Sequence, residues 1–227
     1  GIVLTAHPTE VKRRTLIQKY ANLISIMEQR HLYKKYPSKI IELDRKLYSE
    51  IAIIWKTDEL KRTKPSPLDE AKWGLAVIED SLWDTIPKVY KRLNDIFRKN
   101  LNKDLPRNFN PIQFGSWMGG DRDGNPNVTS EVTKKVILFS RWQAAKLYEK
   151  ELTQLIQDLS MEECSPAIRR ITGKSFEPYR VYLRPLRDKV RNTHQLIESH
   201  INQNKPLDEK KLLQNKYEII NPLREVR

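Results

Sequence analysis

The chain has 227 residues, 38% hydrophobic and 31% charged, with a net charge of +13 from 42 Lys+Arg against 29 Asp+Glu. That composition excludes a disordered chain and allows a sizeable core, and no apolar run approaches the roughly 18 to 20 residues of a membrane span. The basic residues are dispersed in short groups such as Lys12-Arg13-Arg14 and Lys34-Lys35, which argues against a dedicated nucleic-acid surface and leaves small anions as the partners such charge suits.

The N-terminal Ile2-Val3-Leu4-Thr5-Ala6 is a β-prone apolar run that stops at His7-Pro8, so a buried strand is expected over 2–6. With no Met at its head and a start inside a strand, the sequence reads as a piece of a longer protein, and its first residues, lacking a basic segment and a long apolar one, do not read as a signal peptide. The single Cys164 excludes an internal disulfide and suits a reducing cytoplasm.

Pro8 and Glu10 suit a helix start, and Leu16, Tyr20, Leu23, Ile24 and Met27 recur on one face of a helix over about 8–36. Pro37-Ser38 breaks that helix, and a second follows over 38–56, with Ile41, Leu47, Ile51, Ile54 and Trp55 among its apolar positions. Ser66 or Asp69 can cap a long helix over 68–100, which Pro87 should kink. A second short strand is expected over 112–117. Thr129 or Ser130 then caps a helix over 129–160, and further helices are expected over 178–203, which Pro185 should kink, and over 207–220.

The fold class is therefore predominantly α-helical with two short strands. Two strands cannot form a sheet core alone. They suit consecutive strands of a larger TIM-like α/β barrel, whose active sites lie at the C-terminal ends of the strands; the barrel is incomplete in this single 1–227 segment.

Both strands end at turns rich in reactive side chains. His7 can bind an oxyanion when charged or accept a proton when neutral; equally, it can be a capping histidine with no ligand. Arg13 and Arg14 are almost two helical turns further on. They read either as a second anion site or as a solvated helix face. His31, His194 and His200 lie in polar helical patterns and read as solvated.

The richest segment is Phe114 to Pro126, FGSWMGGDRDGNP, which holds Gly119, Gly120 and Gly124 among only 7 glycines in the chain. Glycine serves where backbone needs φ > 0 or close approach. Asp121, Asp123 and Asn125 have calcium-loop spacing, but Pro126 occupies the required glycine position and Val132 the closing glutamate position. The segment also lacks the Gly-Lys-Ser/Thr ending of a Walker loop. Two readings remain. Either Arg122 binds an anion with Asp121 and Asp123 orienting it, or the arginine is salt-bridged within a tight turn.

Val3-Leu4-Thr5-Ala6-His7-Pro8-Thr9-Glu10 with Arg13-Arg14, and Gly115-Ser116-Trp117-Met118-Gly119-Gly120-Asp121-Arg122-Asp123-Gly124-Asn125-Pro126, resemble the phosphoenolpyruvate carboxylase family. Thr57-Asp58-Glu59-Leu60 with Lys61-Arg62-Thr63, and Glu177-Pro178-Tyr179-Arg180, resemble further pieces of it. The resemblance implies a large, mainly helical α/β barrel that joins phosphoenolpyruvate and bicarbonate into oxaloacetate and phosphate with Mg²⁺ or Mn²⁺. Bicarbonate attacks the phosphoryl group, giving carboxyphosphate and the enolate of pyruvate; the enolate then captures the CO₂ released.

Under this resemblance His7 helps carboxyphosphate decompose, and Arg122 neutralises carboxylate or phosphate charge in a dry cleft. Gly119, Gly120, Asp121 and Asp123 belong to the substrate-binding loop, and Arg13 and Arg14 fall where some members bind a phosphorylated activator. The family's metal carboxylates, catalytic lysine and glycine-rich phosphate loop are expected later in the polypeptide, and no metal ligand can be named here. The resemblance also implies a cytoplasmic homotetramer, with no nucleic-acid or membrane partner, and an isolated 227-residue chain that is inactive. The alternative is a non-catalytic helical module for anion sensing or subunit contacts.

Overall fold

A computed structural model describes residues 1–5, 14–58, 65–106, 109–122 and 124–226, with Arg14 described by its backbone alone. His7, Arg13 and Asp123 lie outside the described residues, so the site roles expected for them are untouched by the structure.

Strand β1 (Ile2–Leu4) pairs in parallel with β2 (Phe114–Ser116), in the register Ile2↔Phe114, Val3↔Gly115 and Leu4↔Ser116. A parallel neighbour requires a long crossover between strands, here the helical stretch over 14–101. The expectation of a buried first strand is corrected: Ile2 and Val3 are about half exposed. Only Leu4 packs inward, against the cluster of Ala71, Met118 and Val136, because a three-residue pair has one neighbour each and nothing on its outer faces.

Helices α1 (Arg14–Leu32) and α2 (Pro37–Lys56) form an antiparallel hairpin. Its seam holds Leu16 and Leu43, both almost fully buried, and a Lys19–Glu50 pair at 3.0 Å. The expected α1 face is out of phase, since Tyr20, Ile24 and Met27 are exposed and Leu16 and Leu23 point inward. Ile41, Ile51 and Trp55 of α2 are likewise outward, Trp55 at 89% exposure. Apolar residues circle both helices, so pairing with α2 rather than periodicity selects the seam.

The expected 68–100 helix is one helical run over 67–101 with a π-helical turn inside it. Helix α3 (Pro67–Val77) starts at a capping box, in which Ser66 Oγ accepts from Asp69 N–H and the Asp69 side chain accepts from Ser66 N–H. It passes through the π-helical turn (Ile78–Leu82) into α4 (Trp83–Leu101), so the irregularity lies a turn before Pro87. Buried Gln143 reaches this turn, donating to the Leu75 carbonyl at 2.9 Å and to Glu79 Oε2 at 3.0 Å. π-Bulges and side chains that bond ladder carbonyls are both recognised places where helices bend. Asn102, at φ 49°, caps α4 in the left-handed conformation.

The core is α5 (Ser130–Asp158) against α7 (Pro178–Gln203), centred on Ala145, Leu152, Ile156, Leu183, Leu186 and Val190. Thr129 caps α5 by accepting from Val132 N–H, and α7 runs through Pro185 as a continuous helix. Helix α6 (Pro166–Thr172), capped by Ser165, was not expected. The expected 207–220 helix is corrected to a 3₁₀ turn (Glu209–Lys211) and α8 (Tyr217–Glu225). Asn215 divides them, its Oδ1 accepting from Tyr217 N–H at 2.9 Å. Buried Thr193 fastens the intervening segment by accepting from Leu213 N–H at 3.0 Å.

No helix among the described residues is long and apolar enough to cross a membrane.

Candidate functional site

Parallel pairing brings the carboxyl ends of both strands to one edge. Trp117 N–H donates to the Leu4 carbonyl at 3.0 Å, one residue past the Leu4↔Ser116 pair. The glycine loop therefore leaves the sheet where β1 ends, and the sequence carries His7 three residues beyond Leu4.

The loop begins with a tight turn in which Gly120 and Asp121 both donate to the Trp117 carbonyl, at 3.0 and 2.9 Å. Buried Met118 plugs the groove between α3 and α5, among Ala71, Val136, Leu68 and Val132. Its methyl lies where a Cβ on Gly74 would stand, 2.1 Å away, so Gly74 makes room for it. Gly119 is buried at φ +67°, and a Cβ there would lie 2.5 Å from Val136 Cγ2. The Gly119 carbonyl accepts from Thr133 Oγ1 at 2.6 Å.

The far end of the loop is fixed as well. Asn125 N–H donates to the Arg122 carbonyl at 2.5 Å, Val128 N–H to the Asn125 carbonyl at 3.2 Å, and Asn127 N–H to Asn125 Oδ1 at 3.0 Å. Buried Val128 and the Thr129 cap then lead into α5. The three glycines thus differ: Gly119 needs both a positive φ and the absence of a Cβ, and Gly124 needs only its φ of +74°. Gly120 shows neither requirement.

Between the anchors, Asp121 and Arg122 stand exposed. Among the described residues nothing pairs with Arg122, so the salt-bridged-turn reading finds no partner there. The dry cleft expected around Arg122 is not formed by these residues either. A nearby cleft of about 610 Å³ is lined by Ile78, Trp83, Phe114 and Tyr148, and none of Trp117 to Pro126 lines it. No group of three or more His, Cys, Asp or Glu gathers as a metal site among the described residues.

Two polar clusters escaped sequence reasoning. His194, read as solvated, is only 14% exposed and sits between α5 and α7, its Nε2 2.5 Å from Glu149 Oε2. Arg191 Nε holds the other Glu149 oxygen at 2.5 Å. Burial favours the protonated Glu149, but hydrogen bonds from Arg191 and His194 outweigh it and hold the carboxyl below its usual range. By contrast, His31 is exposed, and His200 Nδ1 lies 2.7 Å from the Lys205 carbonyl. The second cluster explains Glu177 to Arg180. Arg180 donates to the carbonyls of Ile156 and Gln157, each at 2.8 Å, and Glu177 Oε1 holds it at 2.5 Å. A cation there satisfies the last carbonyls of α5 and complements its dipole. Neither cluster has a signal in a single sequence, because each forms between helices distant along the chain.

A glycine loop with an exposed arginine thus leaves the sheet at the carboxyl ends of two parallel strands, the edge at which α/β folds bind their ligands. The chain belongs to the phosphoenolpyruvate carboxylase family, whose model matches residues 1–227. It is 46% identical over 192 residues to the phosphoenolpyruvate carboxylase of Pseudomonas paraeruginosa, covering 85% of this chain and 22% of that one. Against the enzyme of that name from Acinetobacter baumannii the identity is 42% over 223 residues, covering 98% and 25%. Against that of Pseudomonas putida it is 45% over 225 residues, covering 98% and 25%. The chain spans about a quarter of the length of these curated relatives.

Proposed function

We propose that the whole protein carrying this chain joins phosphoenolpyruvate and bicarbonate into oxaloacetate and phosphate, and that this chain supplies one half of the active site. The observation that carries the reading is the β1–β2 register, in which Trp117 N–H bonds the Leu4 carbonyl at 3.0 Å and so starts both family motifs from one sheet edge. In this reading further strands extend the parallel pair into an α/β barrel, and the exposed outer faces of β1 and β2 support that extension.

Arg122 neutralises the carboxylate or phosphate of the substrate. A preorganised donor of this kind is worth about 10²- to 10³-fold in rate. His7 takes and returns a proton as carboxyphosphate decomposes and holds the departing phosphate. Gly119 and Gly120 let the loop backbone approach the substrate, and Asp121 and Asp123 orient Arg122. Arg13 and Arg14 form a separate site for a phosphorylated activator.

Mg²⁺ or Mn²⁺ belongs to the reading through the family, yet the described residues offer no ligand set that fits either ion. No step is therefore assigned through a metal here. A cytoplasmic homotetramer completes the reading.

The test is oxaloacetate formation from phosphoenolpyruvate and bicarbonate. The whole protein forms it and the isolated 227-residue chain does not. His7→Asn abolishes carboxylation while a bicarbonate-dependent release of phosphate persists; unchanged carboxylation removes His7 from the mechanism. Arg13→Ala with Arg14→Ala leaves carboxylation intact and removes activation by phosphorylated effectors, and an unaltered response removes the activator site. A whole protein that binds phosphoenolpyruvate without turnover points instead to an anion sensor.

A further inference from the structure

We propose that Thr133 is a positioning residue for the glycine loop, its hydroxyl setting the direction in which the loop presents Arg122. The inference rests on the reading of Arg122 as the substrate-anion group.

Thr133 lies in the first turns of α5, where a threonine hydroxyl ordinarily bonds back to the carbonyl four residues earlier. That carbonyl, on Thr129, is 3.2 Å from Thr133 Oγ1 and already accepts the Thr133 N–H at 3.0 Å. The Gly119 carbonyl is closer, at 2.6 Å. It has no other donor among the described residues. One hydroxyl proton can serve one acceptor well, and distance and need both assign it to Gly119.

Gly119 and Gly120 are consecutive glycines, so the peptide plane between them is the freest in the loop. Packing does not settle its orientation. Val136 fixes where the Gly119 Cα can lie but makes no hydrogen bond to the carbonyl, and a Cβ on Gly120 would meet only the Trp117 carbonyl, at 3.7 Å. Two bonds hold that plane: Gly120 N–H donates to the Trp117 carbonyl at 3.0 Å within the turn, and the Thr133 hydroxyl donates to the Gly119 carbonyl at 2.6 Å, the bond that ties the turn to α5. Arg122 follows, past the Asp121 N–H bond to the same Trp117 carbonyl, and its own carbonyl accepts from Asn125 N–H. Loss of the Thr133 bond therefore frees the turn from α5 and shifts the guanidinium it presents, whereas the helices and the Met118 plug remain in place.

The experiment is carboxylation kinetics in the whole protein, with Thr133→Val, Thr133→Ser, Arg122→Gln and the double variant Thr133→Val/Arg122→Gln. Valine keeps the shape and removes the hydroxyl; serine keeps the hydroxyl and removes the methyl. Since a misplacement of about 1 Å costs on the order of 100-fold, Thr133→Val lowers kcat/KM for phosphoenolpyruvate by about 10- to 100-fold. Thr133→Ser recovers it to within about threefold, and in the Arg122→Gln background Thr133→Val adds less than about twofold, the non-additivity of residues acting as one unit.

Near-native kinetics in Thr133→Val, with Arg122→Gln collapsed, overturns this inference and leaves the role of Arg122 standing. Equal losses in the valine and serine variants overturn it too, because the hydroxyl is then not the cause. A full additional loss in the double variant rules out action through Arg122. Near-native activity of Arg122→Gln overturns the underlying reading itself, which separates the two failures.

Discussion

Gly119→Ala probes the anchoring of the loop most sharply. An alanine at φ +67° carries the strain of the left-handed region, about 1–2 kcal/mol. Its Cβ would also lie 2.5 Å from Val136 Cγ2, 3.1 Å from Val136 Cβ and 3.4 Å from Val136 Cγ1. Rotating the valine moves the methyls but not its Cβ, which the α5 backbone fixes, and valine in a helix is held near one rotamer. Overpacking of this kind costs about 1–3 kcal/mol, so Gly119→Ala should lose about 2–5 kcal/mol in all. At roughly 2–4 °C per kcal/mol for a chain of this size, thermal unfolding followed by circular dichroism should show a drop of about 4–20 °C. Gly124→Ala is the control. Its φ is +74° but nothing lies within 4 Å of the added Cβ, so only the strain of about 1–2 kcal/mol applies. Adding Val136→Ala to Gly119→Ala should relieve the clash and make the double variant less unstable than the sum of its parts. Equal melting of Gly119→Ala and Gly124→Ala would refute the packing argument.

Gly74→Ala should behave differently despite a nominally closer contact of 2.1 Å, because the atom met is the mobile methyl of Met118. Helix propensity returns about 0.5–1 kcal/mol, and urea unfolding should place the variant within about 1 kcal/mol of the parent. Glu149→Gln should cost about 2 kcal/mol by leaving Arg191 and His194 without their carboxylate. The Glu149 carboxyl is held below its usual 4.5, so its stabilisation is fully present above that pH and is lost as pH falls through the lowered value. Urea midpoints of parent and Glu149→Gln should therefore differ at pH 7 and converge as the pH falls below 4.5. A constant gap would remove the linkage. Arg180→Ala strips the Ile156 and Gln157 carbonyls of their donor and should loosen the end of α5. Amide exchange at the end of α5 should accelerate by about 10-fold, the equivalent of roughly 1.4 kcal/mol.

Much of this architecture was legible because its signals are local. The Ser66 and Thr129 caps, the Pro37 break between two helices, the Pro178 helix start and the β-prone runs each act within a few residues. What was not legible depends on partners distant in sequence. The α1 seam is chosen by α2, since apolar residues lie on more than one side of α1. The π-helical turn in the third helix is marked by Gln143, more than sixty residues further on. His194 looks solvated in its own helix, and only α5 shows it to be paired. The last helix was misplaced for a local reason, the Asn215 turn that restarts it at Tyr217. At the site, the three glycines of the loop look alike in sequence, and Val136 is what makes Gly119 different. Thr133 gave no sign, because a threonine four residues after a cap is ordinary until its acceptor is seen.

The central claim is that Arg122 carries substrate charge at the edge shared by β1 and β2. It is tested most directly by the kcat/KM for phosphoenolpyruvate of Arg122→Gln in the whole protein, measured as oxaloacetate formed at saturating bicarbonate. A fall of about 10²-fold or more with unchanged thermal stability is expected from the loss of a preorganised cation; a kcat/KM equal to that of the parent would contradict the account.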